Sequence, residues 1–264
     1  MKILTCIKQV PAKDSRYKVN DEATGILEED LVFETNESDL YALEEALRLK
    51  EKWGGEVIVL SLGPDRVAKA LLNALAMGAD RAIHLKDKIF ERGDAWTTAQ
   101  AIAASIQDEK LDLILTGVQS EDMAYAQTGT ILAQVLGWSS ATIVVEININ
   151  DEASQIALKR ELESNVFERI ELALPVVLTI QAGINQIRYA TLRGVMQAKK
   201  KEYKVMTSAQ LGLAPEVLGE KGSRVKHHQL LLPKKKKKTI MLEGAPEETA
   251  RALMVKLTKE TRVL

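Results

Sequence analysis

An α/β fold built on a mostly parallel sheet is what the sequence predicts, and three observations carry it. Short apolar runs recur, and those in the first half of the chain are each followed by a segment of helical periodicity. These segments end on turn or cap residues, at Pro11, Gly63-Pro64-Asp65, Gly78 and Thr116-Gly117. The chain has 264 residues, 46% of them hydrophobic, enough for one large α/β domain with an appendage.

Residues 3–10, bounded by Pro11, read as a buried strand. After a polar stretch Asn36 is the expected N-cap of a helix, with Asp39 at its third position and Leu40, Leu43 and Leu47 on one face. Residues 56–61 form the second strand. The helix after it turns Val67, Leu71 and Leu75 inward and stops at Gly78, read as a left-handed cap. Residues 81–85 are the third strand, and Asp94 starts a helix with Ala95, Ala99, Ile102 and Ile106 on one side. Residues 111–115 are the fourth strand. A loop over 118–123 then leads into a helix bearing Ile131, Leu132 and Val135.

Beyond Trp138 the pattern changes. Residues 141–147, 156–162, 169–172 and 176–180 are β-rich without intervening helices, which predicts hairpins or a sheet edge. From about Thr191 the chain is basic and punctuated by glycine, carries the lysine run 234–238, and closes with a helix over 246–261. The apolar stripe of that helix, Ala250, Leu253 and Leu257, is too narrow for an independent domain. The fold expected is therefore a Rossmann-like, mostly parallel sheet flanked by helices, with β-hairpin additions and a C-terminal arm. Residues 1–190 form the α/β domain and residues 191–264 an arm that packs on something else. No internal repeat signals a solenoid.

The 36 basic side chains nearly cancel 37 acidic ones, which argues against a dedicated nucleic-acid binder. The lysine run beside Pro233 reads as a solvated linker rather than a nucleic-acid or anionic-membrane patch. Cys6 is the single cysteine, so there is no disulfide framework, and a reducing, cytoplasmic setting fits. Residues 1–7 look like neither a signal nor a transit peptide, and no stretch reaches the roughly 18 apolar residues of a membrane helix. A soluble protein is expected.

Sequences of the form GxxxxGK[ST], GxGxxG and GxSxG are absent. His84, His227 and His228 lack metal-ligand spacing, and His84 in its strand-like run reads as a satisfied core or edge histidine. Cys6 reads as a small buried hydrophobe. No nucleophile–base pair is found. The signals are for binding rather than for enzymatic catalysis.

Four segments in order carry a resemblance. They are 44–51 with 75–81; Gly117-Val118-Gln119-Ser120-Glu121-Asp122 with Gln127-Thr128-Gly129; 159–163 through 168–170 to Leu174-Pro175-Val176-Val177; and 188–201. Together they resemble the β (small) subunits of the electron-transfer flavoproteins over nearly the whole chain. The resemblance implies a nucleotide-binding domain whose loop after the fourth strand holds an adenine nucleotide, where open α/β sheets collect ligands. The following helix offers free N–H groups to a phosphate, Thr128 a hydroxyl, and Gly129 a close backbone approach. A glycine merely tolerated in a packed helix is the bland alternative for Gly129. By the same resemblance Cys6, Ile7, Lys8, Asn36, Leu62, Gly117, Gln119, Ala126, Gln127, Thr128 and Gly129 surround the nucleotide. Ala126 stands where many members carry asparagine.

The resemblance further implies that Glu161 lies at the interface with a mobile flavin domain. Ser164-Asn165 replace a common Gly-Gly but still form a turn. Leu192, Met196, Lys199, Lys200 and Lys201 would dock a dehydrogenase, with Arg193-Gly194 in place of Pro-Asn. A core position is the bland reading of Leu192. The implied assembly is a heterodimer in which the α subunit holds most of the FAD and this chain holds AMP. Electrons would pass from an acyl-CoA-type dehydrogenase to a membrane quinone oxidoreductase. Members that bifurcate electrons hold a second FAD in place of AMP; Val10-Pro11-Ala12-Lys13 and Gln127-Thr128-Gly129 favour the single-FAD form. A different class, a stand-alone adenine-nucleotide-binding regulator, predicts a monomer or homodimer with no use for the arm.

Overall fold

The first strand, β1 (Lys2–Cys6), is apolar on both faces, and the layers of helix that cover it come from the segments that follow. The computed structural model describes residues 1–150, 154–233 and 239–261. In chain order come β2 (Gln9–Pro11), β3 (Phe33–Thr35), α1 (Glu37–Trp53), β4 (Glu56–Leu62), α2 (Ala68–Met77), β5 (Arg81–Leu85) and α3 (Ala95–Ser105). Then follow β6 (Leu113–Gly117), α4 (Thr128–Leu136), β7 (Ser139–Ile149), β8 (Gln155–Glu161), β9 (Phe167–Ala173) and β10 (Val176–Ile180). The last are α5 (Leu192–Ala198), β11 (Glu202–Met206), α6 (Gly219–Gly222) and α7 (Pro246–Val255).

Among the described residues nine strands form one sheet in the order β11-β5-β4-β1-β6-β10-β7-β8-β9. Pairing is parallel from β11 to β7 and antiparallel over β7-β8-β9. From β1 the chain builds outward through β4 and β5, then crosses to β6 on the other side. That reversal opens a crevice at the strands' carboxyl ends. On one face Leu43, Leu47, Leu71 and Leu75 pack against Ile3, Val57, Val59 and Leu113. On the other, Ile102 and Leu132 pack against Leu4, Ile58, Leu60 and Ile114. Burial on both faces explains why these strands read as continuous apolar runs.

Three expectations change. The strand expected over 3–10 is two elements: β1 stops at Cys6, and residues 9–11 pair antiparallel with 33–35 in a separate ribbon. Gly78 closes α2 with a positive φ of 138°, outside the left-handed helical region. Residues 176–180 are no edge: β10 lies between β6 and β7, and all five of its residues are buried.

Residues 192–222 belong to the α/β body. α5 rests on α2, β11 pairs with β5, and Leu211 and Leu218 enter the core, so the chain leaves the packed α/β body only at Ser223. α7 buries none of its residues, and the lysine run 234–238 lies outside the described residues. No described helix is long and apolar enough to cross a membrane.

The β8–β9 hairpin turns through Ser164 and Asn165, both at φ 58°, the left-handed pair that a tight hairpin requires. Asn165 is at ease there, but Ser164 is strained, and glycine relieves it. Ser164→Gly is therefore expected to stabilise the protein by about 0.5–1 kcal/mol in chemical unfolding. Unchanged or lower stability would remove strain from the account of this turn.

Candidate nucleotide-binding site

The crevice beyond β1, β4 and β6 holds a cavity of about 260 Å³. Its shape is set by the start of α1. Asn36 occupies the N-cap position, yet its side chain does not cap the helix. Its Nδ2 donates to the Gln119 carbonyl and to Ser38 Oγ, each at 2.9 Å, and its Oδ1 accepts the Glu121 N–H at 3.0 Å. Ser38 Oγ donates to the same Gln119 carbonyl at 2.8 Å. The first turn of α1 thus grips the loop after β6, 81–85 residues away in sequence.

Asp39 ties the strand ends together. Its carboxylate accepts the Lys8 N–H at 2.8 Å and the Gly117 N–H at 2.9 Å. Burial pushes its pKa up to about 7, against those two bonds, the Asn36 side chain and the Lys8 charge. Lys8 Nζ reaches Asp122 at 2.7 Å and Ser120 at 3.3 Å, so its charge is neutralised inside the same loop. Burial alone would raise the Asp122 carboxyl, but the Lys8 ammonium and the hydrogen bonds around it hold it below its ordinary range.

Gln127, the N-cap of α4, makes no side-chain cap, leaving the amides of the helix's first turn open to a ligand. Gly129 allows a close approach, but to the sheet: a Cβ there would stand 2.6 Å from Thr179 Cγ2 and 2.7 Å from Thr116 Oγ1. Its missing side chain seats α4 on β6 and β10 rather than on a ligand. Ala124 and Ala126 adopt φ 52° and 53°, a region where asparagine is more at ease than alanine. Cys6 lies at the cavity edge, its thiol pKa driven well up by burial and the nearby Asp39.

Cys6, Ile7, Lys8, Asn36, Leu62, Gly117, Gln119, Ala126, Gln127, Thr128 and Gly129 all line this one cavity. Sequence reasoning missed the opposite wall, which includes Phe90, Arg92, Asp94 and Ile102, and the outer residues Tyr125, Val225 and His227. His84 is a satisfied core histidine: its ring nitrogens lie 2.9 Å from the Gly63 carbonyl and 2.9 Å from Tyr203 Oη.

The other predicted residues stand apart from the cavity. Glu161, at the end of β8, accepts from Gln181 Nε2 at 3.1 Å. Leu192 is 81% exposed and not core; with Met196 it forms an outward apolar face on α5, beside Tyr189. Lys199 and Lys200 are exposed. Lys201 is placed differently from its neighbours: its Nζ donates to the Leu75 and Ala79 carbonyls at 2.9 and 2.5 Å, fastening the C-terminus of α2, and burial lowers its pKa. The Arg193-Gly194 departure also has a local cause, since a Cβ on Gly194 would stand 2.2 Å from the Ala76 carbonyl oxygen. Glycine here lets α5 lie close on α2.

Residues 24–211 match the family described as the electron transfer flavoprotein domain. The chain is 36% identical over 252 residues to the electron transfer flavoprotein subunit beta of Methylophilus methylotrophus, covering 95% of each chain. It is 34% identical over 266 residues to the caffeyl-CoA reductase-Etf complex subunit CarD of Acetobacterium woodii, covering 100% of each. It is 33% identical over 267 residues to protein FixA of Azotobacter vinelandii, covering 97% of this chain and 94% of that relative. Because these matches take in the sheet, the crevice and the outward helix together, the chain belongs to the electron transfer flavoprotein family, as a β-type subunit.

Proposed function

We propose that this chain holds one AMP in its crevice and works beside a flavin-bearing α subunit. In that assembly it carries electrons from an acyl-CoA-type dehydrogenase toward a membrane quinone oxidoreductase, in the cytoplasm. The observation that carries the reading is the crevice itself. All eleven residues that the sequence nominates for an adenylate line one cavity of about 260 Å³. That is close to the lower end of the size range of small-molecule pockets, suited to a mononucleotide more than to a dinucleotide.

The residues present fit an adenylate. The open first turn of α4 presents amides and a positive dipole end to a phosphate, and Thr128 adds a hydroxyl. Asn36, Ser38 and Asp39 hold the loop after β6 in register with that helix. FAD, held mainly by the α subunit, supplies the redox centre. The contribution of this chain is docking and geometry. α5 offers Leu192 and Met196 to an apolar pocket on the dehydrogenase, with Lys199 and Lys200 steering encounter. Glu161 and the segment beyond Leu230 face the α subunit.

The test is to co-express the chain with its α-type partner, purify and denature the complex, and quantify the nucleotides released. One FAD and one AMP per heterodimer is the expected result. Two FAD and no AMP would place a flavin in this crevice instead. A chain that purifies alone with adenylate would favour the regulator.

A further inference from the structure

At Ser223 the chain leaves the packed α/β body and at once crosses back over the crevice. Asp94, the N-cap of α3, has two tasks there. Its Oδ1 accepts the Thr97 N–H at 3.0 Å and caps the helix. Its Oδ2 accepts the N–H groups of Arg224 and Val225 at 2.7 and 3.1 Å, from 130 and 131 residues away in sequence. The Asp94 N–H in turn donates to Ser223 Oγ at 2.9 Å. The Arg224 guanidinium lies 3.4 Å from the centre of the Trp96 ring, a second hold on the same helix. Further along, the His227 ring stacks on Tyr125, with centroids 6.4 Å apart and planes 18° from parallel. Tyr125 belongs to the loop between β6 and α4, so the segment spans the cavity from the α3 side to the α4 side. The Leu230 N–H, donated to the Ala23 carbonyl at 2.8 Å, fixes its far end.

We propose that residues 223–230 are a strap forming the outer wall of the adenylate cavity, and that Asp94 is the positioning residue that keeps it closed. Val225 and His227 are the strap residues that line the cavity. The proposal rests on the adenylate reading above and assigns to the strap the control of nucleotide release. A carboxylate that receives two backbone donors on one oxygen is a strong hold, because hydrogen bonds to a charged acceptor are about twice as strong as neutral ones. It is also readily broken without unfolding α3. In Asp94→Asn the side-chain carbonyl keeps the cap on Thr97, while the amide NH2 confronts the two strap N–H groups, donor against donor.

The experiment uses the purified heterodimer and radiolabelled AMP. Exchange of labelled AMP into the wild type should be slow, and in Asp94→Asn about tenfold faster or more. Hydrogen exchange of the amides at 223–230 should rise in the same variant. His227→Ala, which leaves α3 untouched, should speed AMP exchange by a smaller factor. It decides the matter if Asp94→Asn cannot be purified. Faster amide exchange in the strap with unchanged AMP exchange would overturn the proposal, as would unchanged exchange in both. A wild-type heterodimer that neither carries nor takes up adenylate is a different result, and defeats the reading of the cavity itself.

Discussion

Gly117→Ala is expected to cost roughly 3 kcal/mol or more of stability and, on the adenylate reading proposed above, to lower the nucleotide content of the complex. A Cβ at this position would lie 2.2 Å from Ser38 Oγ, 2.3 Å from Asp39 Oδ1 and 2.8 Å from the Asp39 backbone nitrogen. Neither side chain can swing aside freely. Ser38 is held by the Gln119 carbonyl and by Asn36, and Asp39 by the Gly117 N–H itself and by Lys8. The third obstacle is the backbone of α1. The added methyl must therefore push the start of α1 away from the end of β6, breaking the hydrogen bonds that shape the loop over 118–121. Chemical denaturation reads the first loss, and adenylate content of the purified complex reads the second. A variant with wild-type stability and nucleotide content would show that the grip of α1 on β6 does not shape the site.

The parts of this fold legible in the sequence are those set by near neighbours. Residues 81–85 and the Asp94 cap fall where periodicity and capping chemistry put them, because strand burial and a helix start are properties of a few adjacent residues. Residues 176–180, where the absence of intervening helices suggests hairpins or a sheet edge, form the central strand β10, and Val176-Val177-Leu178-Thr179-Ile180 lacks the alternation of a half-exposed strand. That unbroken run is the signal of burial on both faces and was available. The opposite wall of the cavity was not. Nothing local in Val225 or His227 says that they return to residues about 130 and 100 positions earlier, and only the closed topology brings them there. Asp39 illustrates the intermediate case. Its place in the first turn of α1 is legible, but its use as a bolt between the ends of β1 and β6 is not. Lys201 in a run of three lysines looks like a docking charge until α2 is seen to end beneath it.

Arg188→Ala should remove about 3 kcal/mol of stability, because it leaves a buried carboxylate without its cation. Glu44 is 4% exposed on α1, and the Arg188 guanidinium meets its two oxygens at 2.8 and 2.9 Å while the Arg188 N–H adds a third bond at 3.1 Å. The same guanidinium reaches Glu51 at 2.5 and 3.2 Å, two helical turns further along α1. Three residues earlier, Asn185 Nδ2 donates to the Tyr41 carbonyl and to Glu45, each at 3.0 Å. Residues 185–188 are thereby bolted to α1 immediately ahead of Tyr189, which is 92% exposed, and of α5. Arg188→Lys should recover only part of the loss, since a single ammonium cannot reproduce the two-pronged contact. Removing Glu44 and Arg188 together should cost less than the sum of the single losses, since the lone buried charge disappears with its partner. On the docking role proposed for Leu192, the clamp has a second consequence. A dehydrogenase pocket meets α5 in one orientation only while its approach segment is fixed. Leu192→Ala should raise the KM of the partner dehydrogenase for this flavoprotein, and the effect should shrink in the Arg188→Ala background. Strictly additive effects would mean that the clamp stabilises the fold without aiming the helix. No effect of Leu192→Ala in either background would instead remove the docking role and leave the clamp as a structural device.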